Sequence, residues 1–387
     1  MIRRAVNILQ TNSFFLLGPR GTGKTKLLKE LFSDPRNLYI DLLDPEEVEK
    51  FSLEPRELSR RIAALGSNKA WVIIDEIQKV PKLLDLVHLH IENDSKKFAL
   101  SGSSARKLKR GGANLLAGRA YSYYLHPFTA KELGPDFNLD DSLAWGMLPK
   151  AILQDSVEER ILYLQSYVHN YIQEEIQAEQ IVRKLDPFRK FLAIAAQSNG
   201  EIINFSKIAR DVGTTDISVK KYFEILEDTL IGFFLESYNP SIRKQQRNAP
   251  KFFFFDTGVQ RALAKALSIP LRPQTFFYGK AFEHFVILEL TKQCSYLRND
   301  FSFSYLKTAE QTEIDLIIER PGNKKVLVEI KSTDAVQEED VKNLEHFKDD
   351  FPNSRRICLS RDPHHKIISG VEVYNWAEGI DQILLKK

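Results

Sequence analysis

The chain has 387 residues, a formal net charge of +3, and 43% hydrophobic, 11% aromatic and 28% charged residues. That length suggests about two or three domains, and the composition excludes a disordered chain, a collagen-like chain and a disulfide scaffold, since only 2 cysteines occur. The net charge is too near zero to name a partner, so local charge must carry that argument.

The longest apolar runs, Phe14–Leu17 and Phe252–Phe255, are far shorter than the ~20 residues a membrane-spanning helix needs. The Met-Ile-Arg-Arg start leads into no long apolar stretch and no small-residue cleavage site. A soluble, cytoplasmic protein without a membrane partner is expected, with Cys294 and Cys358 as reduced, buried thiols.

In chain order, the short apolar runs Phe14–Leu17, Leu38–Leu42, Trp71–Ile74, Phe98–Leu100 and Tyr121–Leu125 alternate with helix-like stretches. This is the rhythm of an α/β sheet domain, assigned to residues 1–150. It stops around Trp145–Pro149. A long helix follows, with Ile161, Leu164, Val168, Ile172 and Ile176 at three- and four-residue steps, then a second helical region and a strand pair. These make a middle part, residues 151–270. Ser268–Gln274, with two prolines, reads as a linker into a third α/β part, residues 271–387.

Gly18-Pro19-Arg20-Gly21-Thr22-Gly23-Lys24-Thr25 fits G-x-x-x-x-G-K-[ST] without exception, between the apolar strand Phe14–Leu17 and a helical stretch. The glycines let backbone N–H groups wrap phosphate, and the helix N-terminus favours its negative charge. Lys24 should reach the β- and γ-phosphates of ATP, and Thr25 should bind Mg²⁺. Further on, Trp71-Val-Ile-Ile-Asp75-Glu76 is an apolar strand ending in two acids. Asp75 would hold the Mg²⁺ through water, and Glu76 would polarise the attacking water. Phe98-Ala-Leu-Ser101-Gly-Ser103 is a further strand ending in hydroxyls, with Ser103 or Ser101 placed to sense the γ-phosphate. Arg106 and Arg119 are candidates for an arginine finger, acting in cis or through self-association.

Together, Gly-Pro-Arg-x-x-Gly-Lys-Thr, Ile-Asp-Glu-Ile-Gln-Lys-Val-Pro81, Leu-Ser-Gly-Ser-Ser-Ala105 and Leu-Ala-Gly-Arg119 resemble a prokaryotic group of AAA-type ATPases whose C-terminal region is usually catalogued as a domain of unknown function. Tyr167, Tyr171, the Pro250–Gly258 segment and Gly279-Lys-Ala-Phe-Glu283 resemble that group too, so the likeness spans nearly the whole chain.

In the middle part, Phe205–Val212, the turn Gly213-Thr-Thr and Asp216–Leu230 follow helix-turn-helix order, with Ile217, Phe223, Leu226 and Leu230 expected to face inward. The strands Phe233–Tyr238 and Lys251–Phe255 flank a basic wing, Arg243-Lys-Gln-Gln-Arg247. Ser218, Lys220, Lys221, Arg243, Lys244 and Arg247 are the expected phosphate contacts of a DNA-binding unit. Glu224 and Glu227 dilute that positive face.

Near the C-terminus, strand alternation puts Glu329 and Lys331 on one face of Val326–Lys331, and Asp315 on one face with Glu313 and Ile317. The order Asp315 … Glu329-x-Lys331 resembles the PD-(D/E)xK nuclease signature, although Glu313-Ile-Asp315 stands where the literal Pro-Asp would be. Glu283 lies on the preceding helix, where many members of that superfamily keep another acid. The resemblance implies that Asp315, Glu329 and the Ile330 carbonyl hold one or two Mg²⁺ or Mn²⁺ ions and that Lys331 orients the water or the phosphate.

The expected fold class is therefore α/β: a P-loop NTPase sheet domain, a helical and winged-helix middle, and an α/β nuclease-like C-terminal domain. The expected function is ATP binding and hydrolysis coupled to action on nucleic acid, DNA first, with RNA left open. The alternative is a nucleotide-switched interaction protein, or a DNA-binding regulator, whose nuclease-like domain is inactive.

Overall fold

A computed structural model describes the chain except residues 1, 66–69, 104–115, 117, 179–184, 240–248, 309, 311 and 386–387, with the backbone alone for 171–178 and 185. Arg106 and the wing residues Arg243, Lys244 and Arg247 thus lie outside the described residues, as does the side chain of Tyr171. The chain forms two compact units: Arg3–Phe128 with Ile225–Ile231, and Met1–Ile2 with Thr129–Glu224 and Gly232–Lys387.

In the first unit, β1 (Ser13–Leu17), α1 (Lys24–Leu31), β2 (Leu38–Asp41), β3 (Val72–Asp75), β4 (Phe98–Gly102) and β5 (Ala120–Tyr124) take up all five apolar runs. The strands form a five-stranded sheet in the order β2-β3-β4-β1-β5, every neighbouring pair parallel. Parallel strands are covered on both faces, which is why β1, β3 and β4 read as unbroken apolar runs and are buried at every position. Alternate side chains feed two cores. Phe15, Leu17, Ile74 and Leu100 pack with Phe51 and Leu84 on one face; Phe14, Leu16 and Ile73 pack with Leu28 of α1 and Trp71 on the other.

The second unit begins with short helices and then the long α2 (Val157–Ala178), at the place the three- and four-residue periodicity predicts. There follow α3 (Leu185–Gln197), α4 (Phe205–Val212) and α5 (Asp216–Asp228), the last with its C-terminal residues in the first unit. Gly213, at φ +77°, ends α4 in the left-handed conformation that glycine adopts without strain. Phe223 of α5 packs edge-on against Phe191 of α3, with ring centroids 4.8 Å apart. One inward assignment is corrected: Ile217 is 62% exposed, because α5 starts at Asp216 and places it on a solvent-facing first turn. Leu230 lies beyond the helix end, at φ +61°, yet packs partly buried against the core of the first unit.

The strands of this unit are β6 (Gly232–Ser237), β7 (Lys251–Phe254), β8 (Ser302–Lys307), β9 (Glu313–Glu319), β10 (Val326–Lys331), β11 (Arg355–Ser360), β12 (Lys366–Ile368) and β13 (Val371–Asn375). They form one sheet in the order β12-β13-β11-β10-β9-β8-β6-β7. The strand pair flanking the expected wing is therefore continuous with the C-terminal strands, through β6 parallel to β8. Four helices complete the unit: α6 (Thr257–Leu263), α7 (Phe276–Leu297), α8 (Glu338–His346) and α9 (Trp376–Leu384). Helix α7 buries Phe282, Phe285 and Val286 against Leu316, Val328 and Ile330, while α8 buries Val341 and Leu344 with Ile317 and Leu327. Both cysteines are buried and unpaired. Among the described residues no helix is long and apolar enough to cross a membrane.

Candidate functional site

The loop between β1 and α1 is built by close approach. A Cβ on Gly18 would stand 2.2 Å from the Leu125 carbonyl oxygen, so only glycine fits there. Gly21 and Gly23 hold φ +75° and +95°, and Gly23 is the N-cap of α1. The buried Lys24 ammonium donates to the Gly18 and Pro19 carbonyls, at 2.8 and 3.1 Å. Thr22 is buried, with Oγ1 donating to Pro19 O at 2.9 Å. Arg4, which the sequence reading passed over, braces the loop from outside, donating to Thr22 O at 2.7 Å and His126 O at 2.6 Å.

Strand order decides what faces this loop. Because β4 lies between β1 and β3, its hydroxyls stand between the strand that leads into the loop and the strand that carries the acids. Asp75 is fully buried; Ser101 Oγ donates to its Oδ1 and the Tyr39 hydroxyl donates to its Oδ2 at 2.8 Å. Burial and the neighbouring carboxylates push the Tyr39 phenol up, which keeps it a donor. Glu76 follows at φ +60°, a rare conformation for a non-glycine residue, its N–H held by Ser101 Oγ at 3.0 Å. Gln78 Nε2 donates to Glu76 Oε2 and also to Ser103 Oγ at 3.1 Å. Ser101 thus touches the acid pair directly, while Ser103 reaches it through Gln78. Arg119 is ion-paired to Glu92 on the surface.

In the second unit four carboxylates and four lysines gather where α7 meets the ends of β9 and β10. Asp315 Oδ2 accepts the Ile330 N–H at 2.8 Å, and Lys331 Nζ lies 2.7 Å from Glu329 Oε1. Lys280 Nζ is 3.0 Å from Glu283 Oε2, and Lys307 Nζ is 3.2 Å from Glu313 Oε2. The buried Lys251, at the start of β7, lies 2.5 Å from Glu313 Oε1 and 3.7 Å from Glu283 Oε1. Burial first, and repulsion between neighbouring acids second, push Asp315 and Glu329 well above the ordinary carboxylate range. Burial works against the Lys251 and Lys331 ammonium groups, yet the surrounding acids hold both above the usual lysine value.

The strict alternation expected for β9 breaks here. Ile314 joins the same core as Ile317, and the ladder to β8 shifts register between Ser304 and Leu306, opposite Asp315. A bulge re-aims the side chains of its strand in this way. Among the described residues no three carboxylate, imidazole or thiolate side chains form a metal cage. Glu329 Oε2 is nevertheless buried without a hydrogen-bond partner. Hard oxygen donors with one orphaned lone pair suit a single divalent cation at Asp315 and Glu329.

Lys251, Gln78, Tyr39 and Arg4 are the additions the geometry makes to the residues singled out in the sequence. Gln78 had a signal, lying in the same Ile-Asp-Glu-Ile-Gln segment as Asp75 and Glu76. Lys251 had a weaker one, as the single charge heading the apolar run Phe252–Phe255.

Comparison with known proteins divides the chain in three. Residues 10–134 match the family model of an AAA domain, residues 136–269 a domain of unknown function (DUF8612), and residues 278–377 a second domain of unknown function (DUF4143). An uncharacterized protein of Mycobacterium tuberculosis is 23% identical over 83% of this chain and 70% of its own. An uncharacterized protein of Haemophilus influenzae is 24% identical over 80% of this chain and 76% of its own. The crystal structure of protein VC1899 from Vibrio cholerae aligns over 96% of both chains at 12% identity, but its TM-score of 0.22 is too low to carry an argument. The chain thus carries an N-terminal AAA domain, a P-loop fold of the ATP-binding kind, followed by two domains of unknown function.

Proposed function

We propose that this protein binds and hydrolyses ATP in its N-terminal domain and acts on nucleic acid, DNA first, through its C-terminal unit. The observation that carries the first half is that β4 lies between β1 and β3, parallel to both: β1 leads into the loop before Lys24, and Ser101 on β4 bonds both Asp75 and the Glu76 N–H at the end of β3. Gly18–Thr25 cradle the phosphates, with Lys24 exchanging its loop carbonyls for phosphate oxygens. Thr25 and Asp75 are the hard oxygen donors that would hold Mg²⁺, which would supply neutralisation of the phosphate charge. Glu76 takes the proton side of the attacking water, and Ser101 keeps the backbone of Glu76 and the carboxylate of Asp75 in register. Arg119 would serve a neighbouring copy only after leaving Glu92.

The nucleic-acid half is supported by two arrangements. Helices α3, α4 and α5 pack around Phe191 and Phe223 beside the antiparallel pair β6–β7, leaving Lys220 and Lys221 exposed on α5. That geometry suits a winged helix on a phosphate backbone. The second arrangement is Asp315, Glu329 and Lys331 at the end of an antiparallel β8–β9–β10 meander flanked by α7. These residues fit one Mg²⁺ or Mn²⁺, which when bound supplies hydroxide and charge stabilisation for phosphodiester hydrolysis. Lys331 then orients water or phosphate, and Glu283 extends the acidic wall.

One observation favours a second reading, in which the C-terminal site docks a partner without cleaving it. Its four carboxylates already face four ammonium groups. Phosphate release and cleavage of single- and double-stranded DNA and RNA, measured with Mg²⁺ or Mn²⁺ and with or without ATP, separate the cases. Lys24→Ala is expected to lower ATP hydrolysis by about 100-fold, the scale of losing one preorganised charge donor. Undiminished hydrolysis would refute the nucleotide site. Cleavage lost in Lys331→Ala supports the nuclease reading; no cleavage of any substrate by a hydrolysing protein establishes the docking reading.

A further inference from the structure

We propose that the Lys251 ammonium stands where a second divalent cation would stand, making the C-terminal carboxylate site a one-cation site completed by a strand outside its own meander. This rests on the metal-binding reading of Asp315 and Glu329 given above.

The four carboxylates divide into two pairs with different partners. Asp315 and Glu329 lie on β9 and β10; one Asp315 oxygen accepts a backbone N–H, and one Glu329 oxygen is buried with no hydrogen-bond partner. Glu329 Oε1 is held by Lys331 Nζ at 2.7 Å, so the place left for a cation in that pair is at Glu329 Oε2. Glu283 and Glu313 instead converge on Lys251 Nζ, at 3.7 and 2.5 Å. Glu283 Oε1 and Lys251 Nζ are, like Glu329 Oε2, buried without a hydrogen bond, so the ammonium meets the charge demand of the Glu283–Glu313 pair as a point charge and not through a full set of hydrogen bonds. It also accounts for the lack of a three-acid cage among the described residues, since Glu283 and Glu313 are turned to Lys251.

Placement makes the ammonium a fixed part of the site. Lys251 is 1% exposed, and Nζ stands 5.2 Å from the centroid of the Tyr305 ring, which faces a cation with its negative quadrupole. The backbone of Lys251 is held by β6, through Leu235, and by an isolated bridge to Ile202. Its position therefore depends on the segment before α7, and β9 and β10 alone would lack it. A second divalent ion at Glu283 and Glu313 would have to sit beside a buried positive charge, and repulsion excludes it.

The test is Mn²⁺ stoichiometry of the full chain without nucleotide, by electron paramagnetic resonance and calorimetry, with Asp315→Asn as the reference that removes the site. Wild type is expected to hold one more Mn²⁺ than Asp315→Asn, Lys251→Met one more than wild type, and Lys251→Arg the same as wild type. Mn²⁺ is also expected to raise the unfolding midpoint of Lys251→Met more than that of wild type. Two ions lost from wild type in Asp315→Asn, or none gained by a folded Lys251→Met, overturns the assignment of Lys251 and leaves the metal reading standing. Equal binding by wild type and Asp315→Asn overturns the metal reading and the Lys251 proposal with it. If Lys251→Met folds only with Mn²⁺, the metal has replaced the ammonium, as proposed. If it does not fold at all, the difference between wild type and Asp315→Asn decides: one ion supports the proposal and two overturn it.

Discussion

Gly18 shows how much of the nucleotide site is a matter of free space. Its N–H donates to Gly102 O at 3.2 Å, tying the loop to the end of β4, while its α-carbon faces the Leu125 carbonyl at the end of β5. The obstacle to a side chain is backbone on backbone, so no rotamer relieves it. Gly18→Ala is therefore expected to push the loop off β5. It should weaken ATP binding by at least about 10-fold and cost about 1–3 kcal/mol of stability, the range for overpacking a tight site. Titration with a fluorescent ATP analogue and urea unfolding measure the two effects. Unchanged affinity would mean that the loop adopts another course when phosphate binds.

Helix α7 carries Glu283 toward the carboxylate site and, on the next residue, His284 into the core. His284 is 1% exposed, its Nε2 is 2.6 Å from the Phe254 carbonyl oxygen, and burial pushes its pKa down from 6.5 to about 4. A depressed histidine pKa means that the unfolded chain takes the proton first. The contribution is complete above about pH 6.5 and is lost as pH falls from there to about 4, amounting to about 3 kcal/mol at 1.36 kcal/mol per unit. His284→Gln keeps a donor for Phe254 and cannot titrate. Urea unfolding should find wild type losing more stability than the variant between pH 7 and pH 4.5. Parallel losses would remove His284 as the cause.

What could be read in advance divides by range along the chain. The three central strands β1, β3 and β4 were legible because burial on both faces leaves apolar runs, and the loop because Gly18–Thr25 is contiguous. Tyr39 and Ser101 as partners of Asp75 were not, since they follow from the strand order β2-β3-β4-β1-β5, a long-range property. The alternation rule for β9 gave way at a bulge that only pairing with β8 reveals. Lys251 was the least legible, because its role depends on β6 and β7 joining a sheet whose other strands lie beyond α7.

At the scale of the whole molecule, the phosphate loop and the carboxylate site belong to different units, each with its own apolar cores. The chain passes between the units at residues 2–3, 128–129, 224–225 and 231–232, and the passage at 224–225 falls inside α5. A continuous helix has no soft backbone dihedral at that point, unlike a glycine-rich linker. Coupling, if the nucleotide governs the C-terminal unit, is then expected to register first in α5. Hydrogen exchange with and without MgATP should show slowing at residues 18–25 and 72–76 and a matching change at residues 216–231, both lost in Lys24→Ala. Slowing at the loop with residues 216–231 unaffected would mean that the two units work independently through this helix. Protection of residues 216–231 that persists in Lys24→Ala would mean that ATP acts there from some other site.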